Sequence, residues 1–297
     1  MSTEENAPPV FIPGHDLVRV TKMNHIVEVQ HMEKMSTGSS IRRLDKHHYV
    51  DIRTGEIREF EKFSDKRSDN FNSLRKTFKN LRYLINNNFA ANGNELHITL
   101  TYKENMTDTK RLYEDFKKFI MRFRYSFKSY GSIDYLTVIE PQERGAWHHH
   151  LLLRFNDVSD RIYLDSKLVS EIWGHGFIKI RTMDGINNIG AYLSAYLADV
   201  ELTDSIDLES AGKEVVTKVV DGVEKKFIKG GRLHRYPNGM NLYRTSRGIK
   251  KPDRVDMPYS DIKKVVGSAK PHYTKSIPIA TEDFTNVITY EQYNMKR

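Results

Sequence analysis

The 297-residue chain contains no cysteine and only two tryptophans. Without thiols it can form neither disulfides nor thiolate metal sites. It also lacks any apolar run near the roughly 20 residues that a membrane-spanning helix needs. Its N-terminus is polar and acidic where a signal peptide is basic and then apolar. These absences predict a cytoplasmic protein that does not enter a membrane.

Positive charge is in excess, with a net charge of +8 and a pI of about 9.3. This excess is compatible with a polyanionic partner such as nucleic acid. It is densest between Lys225 and Arg254, where Asp253 is the only acid and aromatic rings alternate with cations. A groove for a single nucleic acid strand has this composition, and a solvated basic face is the alternative. The candidate DNA-binding residues are Arg232, Arg235, Tyr243, Arg244, Arg247, Lys250 and Lys251.

Hydrophobic periodicity predicts the order strand, helix, strand, strand, helix, strand between residues 95 and 180. This order is the split βαβ arrangement, an α+β fold of the ferredoxin or RNA-recognition type. It has an antiparallel sheet with helices on one face and leaves the other face for a ligand. The predicted parts are a disordered tail over 1–17, an N-terminal β element over 18–66, the split βαβ domain over 67–200 and a basic C-terminal DNA-binding module over 201–297.

Three consecutive histidines lead into three leucines over residues 148–153. Alternate side chains of a strand point to opposite faces, so His148 and His150 share one face while His149 lies on the other. Two imidazoles on one face can bind one metal ion. An isolated His-x-His is nevertheless more often two polar side chains on a solvated face.

Glu140 ends the predicted strand just upstream, and the loop over 141–146 has the length and composition of a hairpin. Pairing Glu140 with His148 puts the carboxylate on the face of His148 and His150, whereas a slip by one residue puts it beside His149. We predict the first register and therefore a site of two histidines and one carboxylate. On chemistry alone, this donor set also suits Zn²⁺ or Fe²⁺.

Two tyrosines, Tyr192 and Tyr196, lie four residues apart in a predicted helix over 187–200 and therefore share a helix face. Phenols one turn apart are usually half-buried packing residues, so the pair alone does not indicate catalysis. The segments around it give the pair a chemical context.

In order and spacing, these segments resemble the rolling-circle replication initiator (Rep) proteins of the HUH endonuclease superfamily, of plasmid and phage type. The resemblance covers about residues 70–254. Residues 98–102 are similar to the first motif of the family, 148–153 to its His-hydrophobe-His motif and 192–199 to its tyrosine motif, and residues 173–177, 233–240 and 246–248 also look like plasmid and phage members.

The resemblance implies a DNA-nicking endonuclease and strand transferase whose HUH nuclease domain spans 67–200. It implies that His148, His150 and Glu140 hold Mg²⁺ or Mn²⁺, and that Tyr196 and Tyr192 are the nucleophiles, with Tyr196 slightly favoured as the first. The implied partners are single-stranded or cruciform origin DNA, a host helicase and a polymerase.

Two features depart from the family pattern. His149 stands where the family prefers a hydrophobe, which is tolerable if the ring packs or hydrogen-bonds on the far face. Ala195 and Asp199 stand where a lysine usually follows the nucleophile by three residues. That lysine is either dispensable or replaced from elsewhere, by Lys179 or by the basic C-terminal segment.

Three other functions fit parts of the pattern. A relaxase or transposase of the same superfamily carries out the same chemistry for transfer or insertion. A non-catalytic nucleic-acid-binding module would use the same sheet as a platform. A non-haem iron oxygenase shares the donor set, but its site generally lies in an all-β barrel, which this helix-rich pattern does not predict.

Overall fold

A computed structural model describes residues 11–35, 40–45, 47–60, 71–142, 145–186, 188–198, 200–201, 215–220, 223–228, 235–237, 240–281 and 284–296. The helices are α1 (Phe71–Asn88), α2 (Thr109–Ser126), α3 (Ser166–Trp173), α4 (Ile189–Ala198) and α5 (Lys263–Val266). The strands are β1 (Leu17–Met23), β2 (Ile26–Met32), β3 (Ile41–Arg43), β4 (His48–Asp51), β5 (Ile57–Glu59), β6 (Glu95–Thr101), β7 (Ile133–Pro141), β8 (Trp147–Phe155), β9 (Ile178–Thr182), β10 (Val200–Glu201), β11 (Val215–Val220), β12 (Val223–Ile228), β13 (Tyr243–Thr245), β14 (Asp253–Pro258), β15 (Tyr273–Thr281) and β16 (Phe284–Asn294).

The chain forms two compact units whose boundaries differ from the predicted ones. Residues 65–252 form the central unit, and residues 1–64 together with 253–297 form the terminal unit. Strands from both ends of the chain pair in one sheet, in the order β14-β1-β2-β16-β15. The predicted C-terminal module over 201–297 is therefore divided between the units, because pairing between strands so distant in sequence leaves no local signal.

The central unit contains a five-stranded antiparallel sheet in the order β13-β7-β8-β6-β9. Its predicted strands and helices are confirmed. Asp108 caps α2, since its carboxylate accepts hydrogen bonds from the backbone N–H groups of Lys110 and Arg111 at 2.8 and 3.2 Å. A second sheet of this unit has the order β10-β12-β11, in which β11 and β12 pair as an antiparallel hairpin.

Helices pack on both faces of the central sheet. On one face, Ile98 and Leu151 belong to a core that includes Phe116 of α2 and Trp173 of α3. On the opposite face, Leu136, Val138 and Leu152 pack with apolar side chains of α1 and α4, including Leu81, Ile85, Ile189 and Leu193. The α+β class with an antiparallel sheet is confirmed. The expected free face is instead partly covered, because α1 and α4 each carry an apolar stripe that must be buried.

In the terminal unit, valines of β1 and β2 pack against Ile262, Val266 of α5 and Tyr293 of β16. Ile12 is buried in the same core, although the sequence predicted a disordered tail over 1–17; residues 1–10 lie outside the described chain. Strands β3, β4 and β5 form a separate sheet of this unit. Among the described residues, no helix has the length and apolar character needed to cross a membrane.

Candidate active site

The hairpin of β7 and β8 has the predicted register, with Glu140 directly opposite His148. The connecting loop is closed by two backbone hydrogen bonds, from Gln142 to Ala146 at 2.8 Å and from Gly145 to Gln142 at 3.0 Å. Gly145 has a φ of +87°, which glycine adopts without steric cost. Glu140, His148 and His150 therefore lie on one face of the sheet.

The neighbouring strands bring further polar side chains to this face. Thr99 of β6 lies between His150 of β8 and Lys179 of β9, because it pairs with both. Two residues further along each strand, and so on the same face, His97 pairs with Arg181. This face therefore carries two short rows of polar side chains that come from three different strands.

His97, His150 and Glu140 form a buried chain of hydrogen bonds. His150 Nε2 is bonded to the Glu140 carboxylate, and His150 Nδ1 lies 3.2 Å from His97 Nε2. A carboxylate only accepts hydrogen bonds, so His150 donates from Nε2 and must accept at Nδ1 from His97. All three side chains are buried. The two partners thereby fix the orientation and the tautomer of the His150 ring.

Burial keeps these imidazoles neutral. It lowers the pKa of His150 to about 4 and that of His97 to about 3, in the latter case with a smaller contribution from His150 and Arg181. Desolvation disfavours the charged form of a histidine. A neutral imidazole has a lone pair available for a metal ion.

The predicted donor set fits a divalent cation in chemistry and in strand position. In the structure, however, Glu140 bonds directly to the nitrogen of His150 that would bind a metal. Among the described residues, no group of three or more His, Asp or Glu side chains is gathered closely enough to hold an ion. The arrangement is a closed hydrogen-bonded chain that must open for His150 and Glu140 to become ligands together.

His149 lies on the far face, as the family resemblance required. Its ring stacks on Phe116 with centroids 4.8 Å apart, and its Nδ1 lies 3.2 Å from the Thr137 hydroxyl. Burial lowers the pKa of His149 to about 3, so it stays neutral. It fills the position of a hydrophobe by packing as one.

Helix α4 is held against α1 by the side chain of Asn86. The Asn86 oxygen accepts a hydrogen bond from the Gly190 backbone at 2.8 Å, and its amide donates to the Asn188 side chain at 3.0 Å. Asn188 in turn accepts from the backbone of Ala191 at 2.9 Å. A Cβ at position 190 would lie 2.7 Å from the Arg82 carbonyl oxygen. Glycine therefore permits the close approach that fixes the position of α4.

This packing brings Tyr192 over the polar rows. A cavity of about 140 Å³ is lined by His97, Thr99, His150, Lys179, Arg181 and Tyr192. The side chain of Tyr196 lies outside the described part of the structure. The preference for Tyr196 as the first nucleophile consequently stays a prediction. Of the two tyrosines, Tyr192 is the one that lines the cavity in the described part of the structure.

Six of the seven candidate DNA-binding residues lie in the described part of the central unit. Tyr243 is half-buried on the face of Val138, whereas Arg244 lies on the opposite face, 3.7 Å above the ring of Tyr113. Arg235 donates a hydrogen bond to the Gln142 carbonyl oxygen at 2.7 Å. The other four are Arg247, Lys250 and Lys251, which are exposed, and Arg232, which lies outside the described residues.

His97 and Arg181 line the cavity, but neither is among the site residues predicted from the sequence. Nothing in the sequence reveals that β6 pairs with β8, so His97 reads there as a polar position of the sheet. The alternation of Lys179 and Arg181 with isoleucines in β9 was the available signal. It places both cations on one face of a strand.

Comparison with known proteins points to the same region of the chain. Residues 95–201 match the family described as Replication-associated protein ORF2. Neither curated proteins nor solved structures give a match to the chain. The matched segment contains the histidine strand, Glu140, both cations of β9 and the two tyrosines of α4. The central unit thus contains a segment similar to replication-associated proteins.

Proposed function

We propose that the central unit nicks and rejoins single-stranded DNA through a tyrosine and thereby initiates rolling-circle replication. The observation that carries this proposal is the cavity in which Tyr192 and His150 meet, within the segment similar to replication-associated proteins. A phenol, buried imidazoles and cations around one cavity are suited to transesterification at phosphorus.

In this reaction the tyrosine oxygen loses its proton and forms a bond to phosphorus, while the bond from phosphorus to the 3′ oxygen breaks. The electron pair of that bond leaves with the 3′ oxygen, which takes up a proton. The products are a 5′-phosphotyrosyl link and a free 3′-hydroxyl. Reversal rejoins the strand, because the covalent link conserves the energy of the broken bond.

The phenolic pKa of tyrosine is ordinarily about 10, so the site has to favour the phenolate and the developing charge on phosphate. His148, His150 and Glu140 would hold Mg²⁺ or Mn²⁺, which when bound polarises the phosphate. Burial supplies a neutral His150 for this purpose. His97 contacts the other ring nitrogen of His150 and so positions it, as partners of metal-binding histidines do.

Tyr196 follows Tyr192 by one helical turn, so a single helix can present two nucleophiles. One tyrosine then retains the 5′ end while the other cleaves the regenerated origin, which closes a single-stranded circle. The chain has no Walker-type glycine-rich phosphate loop. A host helicase is therefore the expected source of unwinding, and a host polymerase extends the 3′-hydroxyl.

The proposal is tested by incubating the purified protein with labelled single-stranded DNA pools, with Mn²⁺ or with EDTA. A denaturing gel and tandem mass spectrometry of tryptic peptides then locate any covalent adduct. We expect a metal-dependent adduct on the α4 peptide, abolished by Tyr192→Phe. Tyr163→Phe is the matched control, because Tyr163 is an exposed tyrosine of the same unit.

Loss of the adduct with Tyr196→Phe alone would restore the order favoured from the sequence. DNA binding without an adduct, across pools broad enough to include the natural origin, would favour a non-catalytic binding module. Parallel assays with replication-origin and transfer-origin substrates separate a replication initiator from a relaxase or transposase.

A further inference from the structure

The floor of the cavity is uneven because a short side chain stands between longer ones. Thr99 lies between Lys179 on β9 and His150 on β8. Adjacent strands are about 4.8 Å apart, so Lys179 and His150 stand roughly 10 Å apart across the sheet. Tyr192 lines the same cavity from α4, and the volume of about 140 Å³ is several times that of one water molecule.

The positive charge at this cavity comes from β9. Lys179 and Arg181 line it, whereas the ten residues of α4 include no basic side chain. Lys179 is exposed, and within the described part of the chain no carboxylate pairs with its ammonium group. A cation beside a cavity that also contains a hydroxyl and a phenol can be compensated by an anion from outside the protein.

We propose that this cavity binds one phosphate of a DNA strand above Thr99, with the Lys179 ammonium group on a non-bridging oxygen and Arg181 on the neighbouring phosphate. The inference rests on the proposed nicking activity in one respect, since the phosphate above Thr99 is the one that Tyr192 attacks. Negative charge grows on the non-bridging oxygens during attack, so a preplaced ammonium group stabilises the transition state more than the bound substrate.

The test compares Lys179→Met and Lys179→Arg with wild type. Lys167→Met is the matched control, because Lys167 is an exposed lysine on α3 of the same unit. The first measurement is the dissociation constant of a fluorescent oligothymidylate as a function of salt concentration. Each lost phosphate contact to a single strand reduces the slope of log K against log salt by about 0.7. We expect that reduction for Lys179→Met and a slope near wild type for Lys179→Arg and Lys167→Met.

The second measurement is the single-turnover rate of adduct formation at saturating DNA. We expect Lys179→Met to lower this rate by about 10²-fold to 10³-fold, as loss of one transition-state donor does, while Lys179→Arg restores part of it. The control should keep the wild-type rate.

The two measurements separate failure of this inference from failure of the proposed function. A salt slope for Lys179→Met equal to that of wild type overturns the phosphate site, whether or not the protein nicks DNA. A reduced slope with an unchanged adduct rate also overturns the inference, because the bound phosphate would not be the one attacked. If wild type forms no adduct, the nicking function fails, and the salt slope still decides whether Lys179 binds phosphate.

Discussion

The sheets of the two units both bury a glutamate, but the two carboxylates have different surroundings. In the terminal unit, Glu291 accepts hydrogen bonds from the hydroxyls of Tyr259 at 3.0 Å and Tyr293 at 2.6 Å. In the central unit, Glu140 is bonded to His150, whose ring continues to His97 and to the wall of a cavity. The Glu291 network joins side chains within the fold, whereas the Glu140 network leads to a cavity that a ligand can enter.

The comparison indicates how to distinguish structural from functional buried polar groups. Neutral phenol donors satisfy the Glu291 carboxylate within the fold, so Glu291 contributes to the stability of the terminal unit. Glu140 and His150 are groups that can instead bind a metal ion, and they share a sheet face with Lys179, a cation exposed to solvent. Buried polar groups next to a cavity with uncompensated charge are candidates for chemistry.

The largest expected effect comes from exchanging each glutamate for its neutral isostere. Glu140→Gln should lower the rate of adduct formation by about 10²-fold or more, since it removes the only carboxylate of the proposed metal site. Glu291→Gln should leave that rate unchanged and lower the free energy of unfolding by about 1–3 kcal/mol, because a glutamine cannot accept from both phenols equally well.

Both tryptophans, Trp147 and Trp173, lie in the central unit, so tryptophan fluorescence during urea unfolding reports that unit. Far-ultraviolet circular dichroism reports both units. Glu291→Gln should shift the circular dichroism transition and leave the fluorescence transition in place. A fall in adduct rate with Glu291→Gln comparable to that with Glu140→Gln would contradict the assignment of separate roles.

The structural features that could be predicted from the sequence are those formed by residues close together in the chain. Asp108 predicts the start of α2, and the loop after Glu140 predicts a hairpin and its register. A hairpin brings its strands together through a few intervening residues, so turn chemistry and alternation are enough to place Glu140 beside His148.

The remaining parts depend on contacts between distant segments. The pairing of β6 with β8 joins His97 to His150, and the pairing of β1 with β14 joins the two ends of the chain. Several partners would satisfy the alternation of each of these strands equally well. The packing of the whole unit determines which strands pair. For this reason neither the contact of His97 with His150 nor the terminal sheet could be predicted from the sequence.

Alkaline pH should weaken the Glu291 network. Burial, followed by the hydrogen bond to Glu291, raises the pKa of Tyr293 above its ordinary value near 10, and burial also raises that of Tyr259. The folded state therefore holds these protons more tightly than the unfolded state. Their stabilisation is complete below pH 10 and is lost as the pH rises above 10 towards the folded pKa.

Tyr293→Phe removes one of these phenols, so unfolding of the terminal unit should depend less on pH above 10. The measurement is the urea midpoint by circular dichroism at a series of alkaline pH values, with the exposed Tyr163→Phe as control. An alkaline dependence equal to that of wild type would show that the phenol of Tyr293 does not contribute to it.

The smallest expected effect concerns two cross-strand ion pairs with different surroundings. Arg19 of the terminal unit binds Asp256 through two hydrogen bonds of 2.8 and 2.9 Å, and both side chains are about 40% exposed, at 39% and 41%. Arg154 of the central unit binds Asp134 at 3.1 Å, where the carboxylate is 14% exposed and also accepts from Ser246 at 2.8 Å.

Exposed pairs contribute only about 0.2–1 kcal/mol and are screened by salt, so Arg19→Gln should lower the free energy of unfolding by less than about 1 kcal/mol. Arg154→Gln should cost more, because it leaves a partly buried carboxylate with fewer donors. Urea unfolding at low and high salt distinguishes the two, since the small effect of Arg19→Gln should shrink further in salt while that of Arg154→Gln persists. If the two variants lost the same free energy of unfolding at both salt concentrations, burial of the carboxylate would not determine the strength of these pairs.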